Sequence, residues 1–141
     1  DAAVDYKATD DLTAAIRDAA PGGVDAYFEN VGGTHFTAAL ENLKQYGRLA
    51  ACGMIQRYND TAQATIPDNL VYLVGKSLKL QGFIVPDHMD IQPEFVKDLT
   101  EWMMAGKINP AETIVDGLEN TPSAFMGLFK GENKGKMLVK V

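Results

Sequence analysis

The hydrophobic positions along the chain change their spacing several times, from the short apolar runs of strands to the helical period of about 3.6 residues. Six runs have strand character: Ala2–Tyr6, Val24–Asn30, Arg48–Gly53, Leu78–Val85, Glu112–Gly117 and Lys136–Val141. The five stretches between them place apolar residues on one helix face: Leu12, Ile16 and Ala19; Phe36, Leu40 and Leu43; Leu70, Leu73 and Val74; Ile91, Phe95, Leu99, Trp102 and Met103; and Phe125, Leu128 and Phe129. Because strands that alternate with helices form βαβ units, this pattern predicts an α/β fold built on a parallel sheet.

Turn and cap residues mark where these helices begin and end. The predicted markers are Thr9 and Pro21-Gly22-Gly23 for the first helix, Tyr46-Gly47 for the end of the second, Pro67 for the start of the third, Gly106 for the end of the fourth, and Thr121-Pro122 for the start of the fifth. Side-chain caps and proline favour helix starts, and glycine favours the residue after a helix.

Three neighbouring strands of the predicted sheet end in glycines and polar residues. "ENVGG" (Glu29–Gly33) follows the second strand, "CGMIQRYN" (Cys52–Asn59) the third, and "VPDH" (Val85–His88) the fourth. The carboxyl ends of parallel strands lie side by side at one edge, where ligands of open α/β sheets bind. The glycines would let a ligand approach the backbone, so the pattern favours a nucleotide-type ligand. Ordinary βα turns explain the same residues equally well.

Composition narrows the class of protein. The 141 residues can bury one core, and a net charge of −6 with a pI near 4.8 argues against nucleic acid, which binds to basic surfaces. No apolar run approaches the length of about 18 residues that a membrane span needs, so we expect no membrane partner and no targeting segment. The chain opens on Asp1 and a predicted strand, from which we expect it to be part of a longer protein.

The cysteine and histidine content carries little chemistry. Cys52 is the single cysteine, which excludes an internal disulfide and predicts a reducing compartment, the cytoplasm. His35, His88 and Cys52 are too far apart in sequence for metal-ligand spacing, so we expect no metal. No histidine is placed to activate Cys52, which we interpret as a small strand residue and not as a nucleophile.

Four segments together resemble a known family. "YFENVGG", "CGMIQRYN", "LQGFIV" and "GENKGKMLVKV", in this order and spacing, are similar to the medium-chain dehydrogenase/reductase superfamily. Within it they resemble the zinc-independent, NADP-dependent alkenal/one reductase branch of prostaglandin (leukotriene B4), plant double-bond and curcumin reductases. The resemblance covers essentially the whole chain. It implies the second half of a Rossmann-type doubly wound parallel sheet, followed by helices and strands that return toward a missing substrate domain.

The resemblance also implies an activity and a cofactor. Members of this branch reduce the C=C bond of α,β-unsaturated ketones and aldehydes, with NADPH as the hydride source. NADP(H) and a small enone or enal are therefore the expected ligands. Residues 1–105 would be a partial NADP-binding domain that lacks its first βαβ half, and residues 106–141 a return segment. Without the glycine-rich phosphate loop and the substrate domain, we expect this chain alone to be inactive.

Site residues follow from the resemblance position by position. Tyr6 matches a tyrosine at the ribose phosphate, Asn30 and Asn133 match asparagines that contact or close over the cofactor, and Phe83, Ile84 and Val85 match a segment that holds the carboxamide. The loop around the ribose and nicotinamide is matched by Cys52, Gly53, Met54, Ile55, Gln56, Arg57 and Tyr58. No residue is assigned a catalytic role, because Gly75 stands where other members carry a tyrosine proposed as proton donor, and we do not transfer that role to nearby Tyr72.

The sequence leaves two alternative functions open and also predicts an oligomeric state. A quinone reductase of the same superfamily and a non-catalytic oligomerisation or interaction module are both compatible with these motifs. The resemblance also implies a homodimer in which the strand Leu78–Val85 pairs edge to edge across a two-fold axis.

Overall fold

The computed structural model describes residues 2–62 and 67–141. Its α/β architecture with parallel sheets confirms the predicted fold class. The chain divides into two compact units, Asp1–Met89 and Asp90–Val141. This division differs from the boundary that we expected between residues 105 and 106, because the fourth helix groups with the residues that follow it. The functional assignment of the two parts stays a prediction.

A three-stranded sheet organises the first unit. Its helices and strands are α1 (Leu12–Ala19), β1 (Val24–Glu29), α2 (Gly33–Asn42), β2 (Leu43–Ala51), α3 (Val71–Gly75) and β3 (Lys79–Gly82), with 3-10 turns at Ile55–Arg57, Asp68–Leu70 and Val85–Ile91. The strands are parallel and follow the order β1-β2-β3. Tyr27, Leu49 and Leu80 stand beside one another across the sheet, which fixes the register.

The core of this unit lies between α2 and one face of the sheet. Its buried members are Phe36, Leu40, Leu43 and Leu49, and the half-buried side chains of Val24, Tyr27, Leu70, Tyr72, Leu73 and Leu78 pack against them. Full burial of each such large apolar side chain contributes about 1.5–3 kcal/mol. Because successive strand residues point to opposite faces, Tyr27 packs on this core while Phe28 is 58% exposed.

The first predicted strand does not form. Ala2–Tyr6 has no regular structure and leads into a turn in which the Ala8 N–H donates to the Asp5 carbonyl at 3.1 Å. A strand needs a neighbour to accept its backbone hydrogen bonds, and none lies beside this segment in the described part of the chain. The helix that follows is confirmed, but its cap is Asp11, whose carboxylate accepts from the Ala14 N–H at 2.9 Å, and not Thr9.

The second helix ends earlier than its apolar period indicated. It stops at Asn42, and Leu43 already belongs to β2, so Leu43 is a core residue of the strand and not of the helix. The predicted end marker Tyr46-Gly47 instead lies inside β2, where Tyr46 has a left-handed φ of 63° and the pairing with β1 is irregular. The third helix is also shorter than expected, and Val74 is 82% exposed instead of facing inward.

The second unit holds two helices and a two-stranded parallel sheet. Its elements are α4 (Gln92–Met104), β4 (Glu112–Asp116), a 3-10 turn at Leu118–Asn120, α5 (Thr121–Lys130) and β5 (Lys136–Lys140). Ala124 and Gly127 bury one side of α5, and Gly106 follows α4 with a φ of 65°, as its predicted role after a helix requires. No helix within residues 2–62 and 67–141 is long and apolar enough to cross a membrane.

Candidate functional site

The carboxyl ends of β1, β2 and β3 meet at one edge of the sheet, as the sequence predicted. Five backbone hydrogen bonds join the segments that follow them: Cys52 N–H to the Glu29 carbonyl at 2.9 Å, Gly53 N–H to the same carbonyl at 3.1 Å, Ile55 N–H to Asn30 at 3.0 Å, Gln56 N–H to Val31 at 3.0 Å, and Phe83 N–H to Ala51 at 3.1 Å. The turn 30–33, the loop 52–58 and the segment 83–85 are therefore neighbours in space. Most of the predicted cofactor residues lie on them.

The two glycines of the turn 30–33 make room for the chain itself. Gly32 has a φ of 81° and Gly33 a φ of 52°, a left-handed backbone that glycine adopts without strain. A methyl group on Gly32 would lie 3.1 Å from the Met54 side chain, and one on Gly33 would collide with the Gln56 amide. The close approach of the loop 52–58 thus accounts for both glycines, which also line the open groove beside that loop. Our expectation that they let a ligand approach the backbone stays a prediction.

A buried carboxylate holds the same turn from beneath. Glu29 is 0% exposed, and its Oε1 accepts from the backbone N–H groups of Val31 at 2.5 Å and Gly32 at 2.8 Å. The Tyr27 hydroxyl donates to the same oxygen at 3.4 Å. Burial, the charge of Glu29 and this hydrogen bond raise the pKa of Tyr27 from 10.0 to about 12.

This carboxylate stands at the start of α2. Helix N-termini attract anions because their first N–H groups are free and the helix dipole is positive there. Here Glu29 already engages two N–H groups just before that start. Glu29 therefore satisfies two N–H groups of the turn 30–33 from within the protein.

Tyr58 folds back over Gly53 beside Asn30. A methyl group on Gly53 would lie 3.0 Å from the Tyr58 hydroxyl and 3.6 Å from the Asn30 side-chain oxygen. Tyr58 is 69% exposed, and neither its hydroxyl nor the Asn30 amide has a hydrogen-bond partner within residues 2–62 and 67–141. The edge therefore presents free hydrogen-bonding groups from two adjacent strand ends.

The remaining residues of the loop 52–58 have local partners. Arg57 forms an ion pair with Asp60, with 3.0 Å between Nε and Oδ2. An open groove runs past Met54, Gln56 and Arg57 toward the start of α1. Cys52 is half-buried at the end of β2, and Ile55 is exposed.

Tyr6 and the segment 83–85 also lie in the first unit. The Tyr6 ring packs edge to face on His35 of α2, with 4.8 Å between ring centres, so the irregular amino-terminal segment still reaches α2. Phe83 packs in the same way on Phe28 at 5.8 Å. Ile84 and Val85 are exposed.

Asn133 lies in the second unit. Its side-chain amide donates to the Gly135 carbonyl at 2.7 Å, which shapes the turn between α5 and β5. The site residues Tyr6, Asn30, 52–58 and 83–85 thus all lie in the first unit, and Asn133 in the other.

The comparison with known families decides the class of protein. Residues 1–139 match the family described as "Zinc-binding dehydrogenase". The chain belongs to this zinc-binding dehydrogenase family. Its similarity to solved family structures confirms the Rossmann-like sheet order: it superposes on the structure of CurA from Vibrio vulnificus in complex with NADPH with a TM-score of 0.87 and 40% identity, over 98% of this chain and 42% of that one.

Two characterised members of similar sequence indicate the branch. The chain is 43% identical over 141 residues to 2-alkenal reductase (NADP(+)-dependent) of Nicotiana tabacum, covering 100% of this chain and 41% of the relative. It is 41% identical to prostaglandin reductase 1 of Bos taurus, covering 99% of this chain and 43% of the relative. These confirm the resemblance read from the four motifs. The chain spans about two-fifths of the length of these relatives.

The family's description names zinc, but the described part of this chain contains no set of side chains that could bind it. Within residues 2–62 and 67–141, no three His, Cys, Asp or Glu side chains come together as a metal site would require. The strand ends carry the Asn30 amide and the Tyr58 phenol besides the Glu29 carboxylate and the Cys52 thiol. That the protein works without zinc stays a prediction.

Sequence reasoning missed the pair formed by Glu29 and Tyr27. It noted Glu29 as a polar residue at the end of a strand but gave it no role. A charged residue in the last position of a strand, three residues before a pair of glycines, was the available signal. Such a carboxylate must be hydrogen-bonded when it is buried, and the nearest donors are the N–H groups of the turn that follows.

Proposed function

We propose that this chain is part of a zinc-free, NADPH-dependent reductase that acts on the C=C bond of α,β-unsaturated ketones and aldehydes. The observation that carries the proposal is the edge at which the strand ends meet, with Asn30 and Tyr58 free to bind a ligand. The same fold with 40% identity occurs in a structure solved with NADPH. Relatives at 43% and 41% identity are named as a 2-alkenal reductase and a prostaglandin reductase.

The residues of the edge fit a dinucleotide. Tyr58 and Asn30 offer a phenol and an amide for the ribose and nicotinamide, while Phe83, Ile84 and Val85 offer backbone groups to a carboxamide. NADPH would supply the hydride that adds to the β-carbon of the substrate. The protein's share is to align the cofactor and to place polar groups where the enolate charge develops.

We propose no catalytic role for Tyr72. Its ring packs against the core, and the Lys76 ammonium lies 4.6 Å from the ring centre. A side chain at Gly75 would point into open space, because no atom lies within 4 Å of a Cβ built there. We therefore assign proton donation to no residue of this chain.

An assay on the full-length protein tests the proposal. Reduction of trans-2-alkenals and enones with NADPH should exceed reduction of quinones, and NADPH should bind more tightly than NADH. Faster turnover of quinones would replace the proposal by the quinone reductase alternative. Failure of the full-length protein to bind NADPH would favour the interaction module.

The 141-residue chain alone provides a second test. Without a phosphate loop it should bind NADPH with a Kd above about 100 μM, which is weaker than about −5.5 kcal/mol, and it should reduce no enone. Low-micromolar binding in a calorimetric titration would show that the cofactor site is misplaced.

We also propose that the full-length protein is a homodimer and works in the cytoplasm. β3 lies at one edge of the three-stranded sheet, and the exposed apolar residues Ile84 and Val85 follow it directly. An exposed apolar edge favours pairing with a second copy. The cytoplasmic location is proposed because the single cysteine, Cys52, favours a reducing compartment.

A further inference from the structure

We infer that Glu29 is a positioning residue for the cofactor loop 52–58: it fixes the turn 30–33 against which that loop is built. The inference rests on the proposed function for its ligand, NADPH, but its structural part stands on the cofactor-free protein. Glu29 itself is buried and would not touch the cofactor.

Glu29 forms hydrogen bonds to the segments that follow both β1 and β2, through its side chain and its backbone carbonyl respectively. Its carboxylate accepts two N–H groups from its own turn, those of Val31 and Gly32. Its backbone carbonyl accepts two from the end of β2, those of Cys52 and Gly53. One fully buried residue thus connects the turn 30–33 to the start of the loop 52–58.

The turn 30–33 also holds the middle of the loop 52–58. The carbonyls of Asn30 and Val31 accept from the N–H groups of Ile55 and Gln56, both at 3.0 Å. If the carboxylate no longer held the turn, these two carbonyls would lose their fixed direction. The segment that carries Gln56, Arg57 and Tyr58 would then lose its support.

The charge of Glu29 matters as well as its length. Its second oxygen, Oε2, is buried and has no hydrogen-bond partner among the described residues. In Glu29→Gln the amide oxygen could still face the turn, but the NH2 group would then stand at that position without an acceptor. A buried unsatisfied donor is costly, so the amide would turn or move and release the two N–H groups.

The first experiment needs no cofactor. In the full-length protein, Glu29→Gln should increase amide hydrogen exchange at least tenfold in both the turn 30–33 and the loop segment 54–57. The second measures NADPH by fluorescence titration and steady-state kinetics. Kd and KM for NADPH should rise at least tenfold, while kcat at saturating NADPH stays within threefold, because the loop can still be ordered by bound cofactor.

Asn42 provides the matched control. It is a second buried polar residue, 8% exposed, and its side chain donates to the carbonyls of Thr13 at 3.0 Å and Ala38 at 2.9 Å, away from the strand ends. Asn42→Ala should lower the melting temperature without changing exchange in the loop or the Kd for NADPH. If Glu29→Gln does not fold, Glu29→Asp, which keeps the charge but shortens the reach, replaces it.

The outcomes separate cleanly. Unchanged exchange in segment 54–57, an NADPH Kd within twofold of the unmodified protein, or a loss of kcat larger than the rise in KM would overturn the inference. An equal rise in Kd for Asn42→Ala would also overturn it, because general destabilisation would then explain both. If the unmodified protein binds no NADPH, the proposed function fails, and coupled exchange in the two segments alone decides the role of Glu29.

Discussion

Replacing Tyr58 with phenylalanine tests the proposed site most directly. The change removes one hydroxyl that lies over Gly53 beside Asn30 and leaves the ring in place. Tyr58 is 69% exposed and its hydroxyl has no partner within residues 2–62 and 67–141. Loss of an exposed, unpaired group should change the free energy of unfolding by less than about 0.5 kcal/mol.

The expected cost to turnover is much larger. A hydrogen bond to a neutral ligand group contributes about 0.5–1.5 kcal/mol, and one to a charged group about 1.5–3 kcal/mol. A contact near the upper end of the neutral range, about 1.4 kcal/mol, corresponds to a tenfold change in rate. We therefore expect Tyr58→Phe to lower kcat/KM for a 2-alkenal by tenfold or more in the full-length protein.

Tyr72→Phe is the matched control, because it removes the same hydroxyl from a ring that packs on the core beside Lys76. Its kcat/KM should stay within twofold. Both variants are measured under saturating and subsaturating NADPH, with melting temperatures recorded to verify folding. Equal kcat/KM for Tyr58→Phe and the unmodified protein, or a larger loss for Tyr72→Phe, would refute the placement of the cofactor at this edge.

Three further predictions follow from individual contacts. Burial and Glu29 raise the pKa of Tyr27 from 10.0 to about 12, so the folded state favours the neutral phenol. The unmodified protein should therefore lose stability between pH 10 and 12. In urea denaturation, Tyr27→Phe should remove that part of the loss. Ile84→Lys places a charge on the proposed dimer edge and should shift the species toward monomer in light scattering; a monomeric unmodified protein at high micromolar concentration would contradict this. The Lys76 ammonium donates to two carbonyls at the end of α2 at 3.1 and 2.7 Å, although burial lowers its pKa. Lys76→Met should therefore lower the free energy of unfolding by about 1 kcal/mol in thermal denaturation. The control Lys79→Met, on exposed β3, should change it very little.

The periodic parts of the sequence predicted the elements well. Every predicted helix and five of the six strands are present, because their apolar spacing agreed with local turn residues. The side-by-side strand ends also followed from sequence alone, since parallel βαβ units leave no other arrangement for them. The order β1-β2-β3 is seen in the sheet itself, and membership of the family does not test the role of any single residue.

Boundaries failed where tertiary contacts overrode the local pattern. Leu43 continues the helical period of Phe36 and Leu40, yet it is buried equally well as the first residue of β2. Val74 also fits a helical period, but α3 has only five residues and cannot bury both Leu73 and Val74. An apolar period predicts which residues share a helix face and not whether a neighbour covers that face.

The roles of the glycines and of Glu29 could not be predicted, because they depend on what approaches the turn from outside it. A pair of glycines at a strand end permits a close approach by a ligand or by another part of the chain, and the sequence does not distinguish the two. Here Met54 and Gln56 make that approach. The buried carboxylate of Glu29 is then explained as the group that satisfies the Val31 and Gly32 N–H groups of this turn.

The pairing of β1 also depends on contacts that its own sequence does not reveal. β2 is the strand that pairs with β1 among the described residues, so the other edge of β1 carries backbone groups without a strand partner. The predicted strand Ala2–Tyr6 does not cover that edge, since this segment turns at Asp5 and places Tyr6 on His35 of α2. The apolar residues of "AAVDY" indicate a preference for extended structure, whereas a strand forms only when a second strand supplies the hydrogen bonds. We therefore expect the free edge of β1 to pair in the full-length protein with a strand from another chain or with one outside residues 2–62 and 67–141.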